Sequence, residues 1–404
     1  MDRFRKLCDG GWRRPEVMIL VMAGAVPFSF ATWNALLNNF VIESAGFTGA
    51  EIGILQSLRE VPGFMAFAAV FILILMREQT LAIVSLLLLG IGTALTGWFP
   101  SVIGLYCTTV LMSIGYHYYA TRQTSLTLQW TTPEKTPEML GRIVAVGSAT
   151  SIVTFVLIWL TFDFAALNFR WVYMIGGGVT MVAAVVCWIA YPRFPVGVEQ
   201  HRHLVIRRRY WLFYLLSFMG GARRQIFVVF AGFLMVEKFG FGVEDITLLF
   251  LLNAAINMWL APRIGRFVAR WGERRALILE YIGLIGVFAG YAVVENAALA
   301  AGLYVVDHLF FALSLAINSY FQKIADAADI ASTAGVSFSI DHTAAVTVPV
   351  VLGFLWLTSP AMVFLIGSAM AAFSLLLAMN VPRRPSPGNE TLFSFGRKPL
   401  PERL

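Results

Sequence analysis

Almost the whole chain is a succession of apolar runs of one length, and few folds can accommodate that. The runs fall at about 16–43, 50–76, 79–98, 101–122, 140–162, 170–191, 210–236, 244–262, 275–294, 297–322, 331–357 and 360–380. A helix needs about 20 apolar residues to cross the hydrocarbon of a bilayer. Lipid offers its backbone no partners, so each span must satisfy its own amides by winding into a helix. The pattern therefore predicts an all-α membrane protein with twelve transmembrane helices. Composition agrees, since 58% of the 404 residues are hydrophobic and 13% charged, about half the charge of an ordinary soluble domain.

A net charge of +7 would suggest nucleic acid in a soluble chain. Here it reports topology. Almost all of the 30 lysines and arginines fall in the N-terminus, the C-terminal tail and the loops between even- and odd-numbered spans, or at the span ends beside them. The opposite loops hold Arg170 and Lys238. By the positive-inside rule both termini are cytoplasmic, and the basic N-terminus leads into an uncleaved first span with no small-residue cleavage site. Cys8, Cys107 and Cys187 have neither metal spacing nor an even count, so they imply no disulfide framework.

The stretch 191–209, polar, basic and proline-containing, divides the chain into six spans and six. The halves are weakly alike: ESAGFTGAEIGILQSL at 43–58 aligns with EKFGFGVEDITLLFLL at 237–252, and VLIWLTF at 156–162 with GFLWLTS at 353–359. Such internal similarity marks a duplicated helical unit. The expected organisation is a bundle over 1–190, a cytoplasmic linker over 191–209, a bundle over 210–381 and a disordered tail over 382–404. Spans three, six and twelve have no ionisable group in their cores, and span nine has only Glu280. Clean helices can face lipid while the others must face an interior, so four peripheral helices are expected around eight that enclose something polar.

Twelve spans as six plus six, a basic central loop and clean third helices resemble the major facilitator superfamily. The loop after span eight adds to this: Gly265, Arg270, Gly272, Arg274 and Arg275 in GRFVARWGERR are similar to the family's cytoplasmic signature, with Ala269 in place of its acid. LMREQTL in the first half keeps Arg77 and Glu78. The resemblance covers about 16–380 and implies two pseudo-symmetric six-helix bundles that rock about a central solute site. It says little about which solute.

The charges inside the spans carry the functional reading. Arg59, Arg223 and Arg224 lie within apolar helices, where each arginine costs about 3 kcal/mol unless it faces protein or water. Helical spacing groups Pro27, Ala31, Asn34 and Asn38 on span one; Gln56, Arg59 and Glu60 on span two; Ser217, Gly220, Gly221 and Arg224 on span seven. It also groups Asn253 with Asn257, Tyr304 with Asp307, Ser314 and Asn318, and Ser337 with Asp341. His308 and His342 follow the two aspartates, and His117 and Arg122 lie toward the inner end of span four. Tyr116, Tyr118 and Tyr119 fit the inner interface. Two readings stay open. Either the arginines pair with Glu60, Asp307 and Asp341 as structural ion pairs between helices, or they bind an anionic solute. Arginine suits the second, since its planar fork grips carboxylate or phosphate and does not lose its proton.

In the reading adopted, Arg224, Arg223 and Arg59 attract a small organic anion, and Asn34, Asn38, Asn253 and Asn318 shape the cavity. Asp307, Asp341, His308, His342 and Glu60 carry coupling protons. The chain is then a secondary transporter of a bacterial-type cytoplasmic membrane, driven by protons or by exchange, with no cofactor and no metal. The alternative is a proton-driven exporter of drugs or amphipathic cations, in which the acids bind the cation. A third class is a non-transporting receptor or a lipid-modifying enzyme. Walker, nucleophile-elbow, zinc-protease and dinucleotide motifs are absent from the sequence, and Arg59 and Glu60, about 100° apart on their helix, are each expected to find a partner elsewhere.

Overall fold

The computed structural model describes residues 11–65, 76–131, 136–165, 167–194, 206–326 and 330–393. Helices dominate: α1 (Pro15–Ala45), α2 (Gly49–Phe64), α3 (Glu78–Thr96), α4 (Val102–Trp130), α5 (Thr136–Leu160) and α6 (Phe169–Ala190), then α7 (Trp211–Ile226), α8 (Gly232–Phe239) and α9 (Val243–Trp271). After these come α10 (Glu273–Val293), α11 (Ala297–Phe311), α12 (Leu315–Ile324), α13 (Ile330–Trp356) and α14 (Pro360–Met379). Among the described residues the sole β contact is an isolated bridge between Ser386 and Asn389. Among them, too, nine helical runs are apolar and long enough to cross a membrane. The helices of the second, fourth and eighth apolar segments fall outside that set.

Local chemistry sets the helix ends. Gly46 closes α1 in the left-handed region at φ 63° and donates its N–H to Ile42, a conformation glycine adopts without steric cost. Thr48 and Glu51 form a reciprocal capping box at α2, satisfying donors that a helix start otherwise leaves open. Ser101, Asn168, Asn296 and Ser359 cap α4, α6, α11 and α14 with their side chains. Two single turns are wider than α: Thr161–Ala165 after α5 and Phe227–Ala231 between α7 and α8.

The contacts cluster into two units. One comprises residues 1–201, 232–254 and 346–357, the other 202–231, 255–345 and 358–404. In the first, α3 packs between α4 and α6, and small residues set the distance. A Cβ on Gly177 would lie 2.3 Å from the Gly90 carbonyl, and one on Gly92 would lie 2.4 Å from the Met112 nitrogen. The same unit contains the ends of three segments from the second half. Asn39 donates to the Phe241 carbonyl at 2.7 Å and Trp356 to Glu237 at 2.9 Å, and a Cβ on Gly53 would meet the Pro349 carbonyl at 2.3 Å. In the second unit α10 packs on α14 and α11, and α7 on α14 and α12.

The expectation of clean lipid-facing helices is met unevenly. α6 exposes Trp171, Ile175, Val182 and Ile189, and α14 exposes Leu365, Phe373 and Leu376. α3 is largely covered, because glycine-mediated packing leaves little of it free. The tail also departs from expectation. Residues 382–393 are not the disordered stretch that their composition suggests, and fold back instead. Leu392 N–H donates to the Asn380 carbonyl at 2.9 Å and the Tyr320 hydroxyl to the Glu390 carbonyl at 2.6 Å. Hydrogen bonds to groups on two helices hold what composition alone would release. Residues 394–404 of the expected tail, 195–205 of the linker and 66–75 of the second segment lie outside the described residues.

Candidate solute and proton sites

Each unit encloses a cavity. That of the second unit measures about 200 Å³ and is walled by Arg223, Arg224, Phe227, Val228, Leu284, Phe288, Asp307, His308 and Phe311. Local winding delivers the two arginines there. They occupy the last turn of α7, just before the wide turn Phe227–Ala231, a device that recurs where a helix must re-aim its side chains.

Adjacent arginines then meet opposite fates. Arg224 is exposed, whereas Arg223 is only 2% accessible. The Nε of Arg223 donates to the Met219 carbonyl at 3.2 Å, its guanidinium stacks 4.5 Å from the Tyr281 ring centre, and Nη2 stands 3.8 Å from Glu280 Oε1. Helical spacing offers Glu60, Asp307 and Asp341 as partners for the arginines and does not single out Glu280. The one clue to it is its place as the lone acid of an otherwise clean ninth segment.

Asp307 is buried on the cavity wall and within the field of Arg223. His308 beside it brings Nδ1 within 3.0 Å of the Tyr304 carbonyl and packs edge-on to Phe227. α13 meets α7 along the expected polar stripe: Ser337 donates to Ser217 at 3.1 Å, and a Cβ on Gly221 would come within 3.3–3.5 Å of Asp341. Gly221 therefore serves close helix approach. Asp341 feels the charge of Arg224 and keeps a buried Oδ1 without a hydrogen-bond partner among the described residues. His342 is half-buried and Asn318 exposed; neither lines this cavity.

The cavity of the first unit is larger, about 450 Å³, and has no charged wall. Asn34 lines it with Gln123, Ser148 and Ser151, among Phe30, Tyr116, Tyr119 and Phe155. Phe30 and Tyr116 stack at 4.4 Å with planes 15° apart. Tyr116 and Tyr119, expected at the inner interface, line this cavity instead, because α4 turns that face inward. Asn38 is buried away from the cavity with its amide against Gly232, and Asn253 is buried with both amide atoms unpartnered among the described residues.

Arg59 also departs from expectation. Its Nε donates to Glu60 Oε1 at 3.1 Å and a second nitrogen reaches the same oxygen, so neighbours in sequence bind one another. The long arginine stem folds back across the angle between them. The pair has further company: Trp33 lies 5.7 Å below the guanidinium, and His117 Nε2 is 3.8 Å from Glu60 Oε2. Ser113 donates to the Arg59 carbonyl and its Oγ lies 3.0 Å from His117 Nδ1.

The two units repeat one contact. In the first unit Glu78 accepts from Gln129 at 2.7 Å, Ser125 at 3.0 Å and Arg122 at 3.3 Å. In the second, Glu273 accepts from Lys323 at 2.6 Å and Ser319 at 2.7 Å. Ser125 and Ser319, and likewise Gln129 and Lys323, are separated by the same offset as the aligned segments 43–58 and 237–252. The sequence model of the Major Facilitator Superfamily matches residues 19–346. The chain belongs to the major facilitator superfamily.

Solved structures of this superfamily share the fold. The nucleoside transporter NupG superposes with a TM-score of 0.72 at 16% identity, covering 90% of this chain and 97% of that one. A bacterial homologue of the human lysosomal transporter Spinster, inward-facing and unoccupied, superposes with a TM-score of 0.72 at 11% identity, covering 90% and 96%. No curated protein matches in sequence. This superfamily member is thus a multi-pass helical transporter by fold.

Proposed function

We propose that this superfamily member moves a small organic anion across a cytoplasmic membrane by alternating access, coupled to protons or to exchange of a second anion. Arg224 carries the reading: it is an exposed guanidinium on the wall of a cavity inside an apolar helix. A cation held there without a tight partner needs water or an anion, and its fork offers two parallel bonds to carboxylate or phosphate. Arg223 adds positive field from behind. Arg59, Asn38, Asn253 and Asn318 are assigned to the solute path, with Asn34 on the first cavity, and Asp341, Glu60, His308 and His342 join Asp307 as proton sites. Twelve spans in two six-helix bundles, over 1–190 and 210–381, with both termini cytoplasmic, complete the reading.

A second reading has its own support. The uncharged aromatic cavity of the first unit, with stacked Phe30 and Tyr116, suits a planar or amphipathic solute, as a drug exporter would need. Counterflow in proteoliposomes separates the two, using labelled succinate, glucose 6-phosphate, tetraphenylphosphonium and uridine. Uridine is included because one structural neighbour is a nucleoside transporter by name. Anion exchange is expected, and Arg224→Ala should weaken it about 10- to 100-fold, the worth of one hydrogen-bonded charge. Normal insertion of Arg224→Ala with undiminished anion flux would sink the assignment.

A further inference from the structure

Glu280 lies on α10, in the segment that carries no other charge through its core. It is fully buried, and neither carboxylate oxygen has a hydrogen-bond partner among the described residues. Its cation is Arg223, but 3.8 Å separates Nη2 from Oε1, beyond hydrogen-bond range. A second buried carboxyl, Asp307 on α11, lines the same cavity wall as Arg223 and lies in the field of that guanidinium and of Glu280. Among the described residues, tyrosines (Tyr291 included), hydroxyls and one imidazole make up the rest of this surrounding. Tyr281 stacks under Arg223, and Tyr304 and His308 flank Asp307. α14 brings Ser368 and Ser374, whose hydroxyls donate to the Ile285 and Met370 carbonyls. On α12, Lys323 is bound to Glu273, about two turns away from Glu280. Arg224 stands on the cavity wall, facing Asp341 and His308.

One guanidinium does not neutralise two buried carboxylates. An acid without water or hydrogen-bond donors escapes the cost of burial by taking a proton. We infer that Glu280 and Asp307 hold one proton between them around Arg223, forming a proton-binding site whose anchor is the ninth span. The proton arrives from bulk water and no other bond changes. It rests on the anion reading only for its coupling. An anion entering the cavity beside Arg223 and Arg224 adds negative charge and competes for the arginine field, so it strengthens the hold on the proton. By reciprocity the proton strengthens the hold on the anion, and the two travel together.

The first test needs no solute. Infrared spectra of the purified protein, titrated in pH, should show a protonated carboxylic acid band that is lost in Glu280→Gln and shifted in Glu280→Asp. If Glu280→Gln does not fold, Glu280→Asp and Asp307→Asn carry the comparison. A wild-type spectrum without such a band, or a band untouched by every variant, overturns the inference. The second test follows the affinity for succinate or glucose 6-phosphate with pH, over a range in which the solute's own charge is constant. It should rise about tenfold per unit fall in pH where one proton is taken up, and be flat in Glu280→Gln. A flat wild-type profile overturns the coupling. Failure of every anion to bind would sink the functional reading instead, and the infrared spectra would then decide the proton site by themselves.

Discussion

Arg223 and Arg224 show why a residue's role is legible only in part from its spacing. Both are visibly anomalous inside an apolar run, and the stripe through Ser217, Gly221 and Arg224 is readable there and is where α13 docks. Which arginine is sealed depends on Tyr281 and Glu280, residues far along the chain that no local pattern connects to them. Arg59 and Glu60 teach the converse, since helical geometry sets their Cβ directions apart and the flexible arginine stem overrides it. That pair is buried, so leaving one member alone should cost about 3–5 kcal/mol, whereas removing both costs less. Thermal unfolding in detergent checks this. Glu60→Gln is expected to melt well below the Arg59→Gln/Glu60→Gln double variant, and equal melting of the two would show that the pair holds little of the local structure.

At the scale of the element, run length and apolarity tell where helices lie but not how they wind. Nothing in FVVFA announces a wide turn at Phe227–Ala231, since the same residues also fit ordinary α winding. Its effect is a phase shift. Each residue of a regular helix advances about 100°, so the extra residue of the wide turn re-aims everything beyond it, including the buried Phe233 and Met235 of α8. Deleting Val228 should restore regular winding and swing those side chains out of their packing. Loss of folded protein on size-exclusion chromatography is the expected outcome, and a normal profile would mean that α8 tolerates rotation. The clean helices are also only half legible. α6 shows the expected apolar outer face, but the glycine contacts that cover α3 depend on which residues of α4 and α6 stand opposite.

For the molecule as a whole, the charge bias, the repeat and the family signature are all present in the sequence. The folded-back tail is not, since its anchors, the helix-end Asn380 and the mid-helix Tyr320, are ordinary residues until Glu390 and Phe393 reach them. Orientation is directly testable. Cysteine placed at Ser386, in a background with Cys8, Cys107 and Cys187 replaced by serine, should react with a membrane-impermeant maleimide from the cytoplasmic side alone. Labelling from outside would reverse the assigned topology. The paired contacts of Glu78 and Glu273 with Ser125 and Ser319 carry a last consequence. Within each unit, then, a serine on the helix of the fourth apolar segment, or of its counterpart the tenth, ties that helix to the acid that opens the segment before it, so a lost hydroxyl should loosen one helix pair and leave the matching pair untouched.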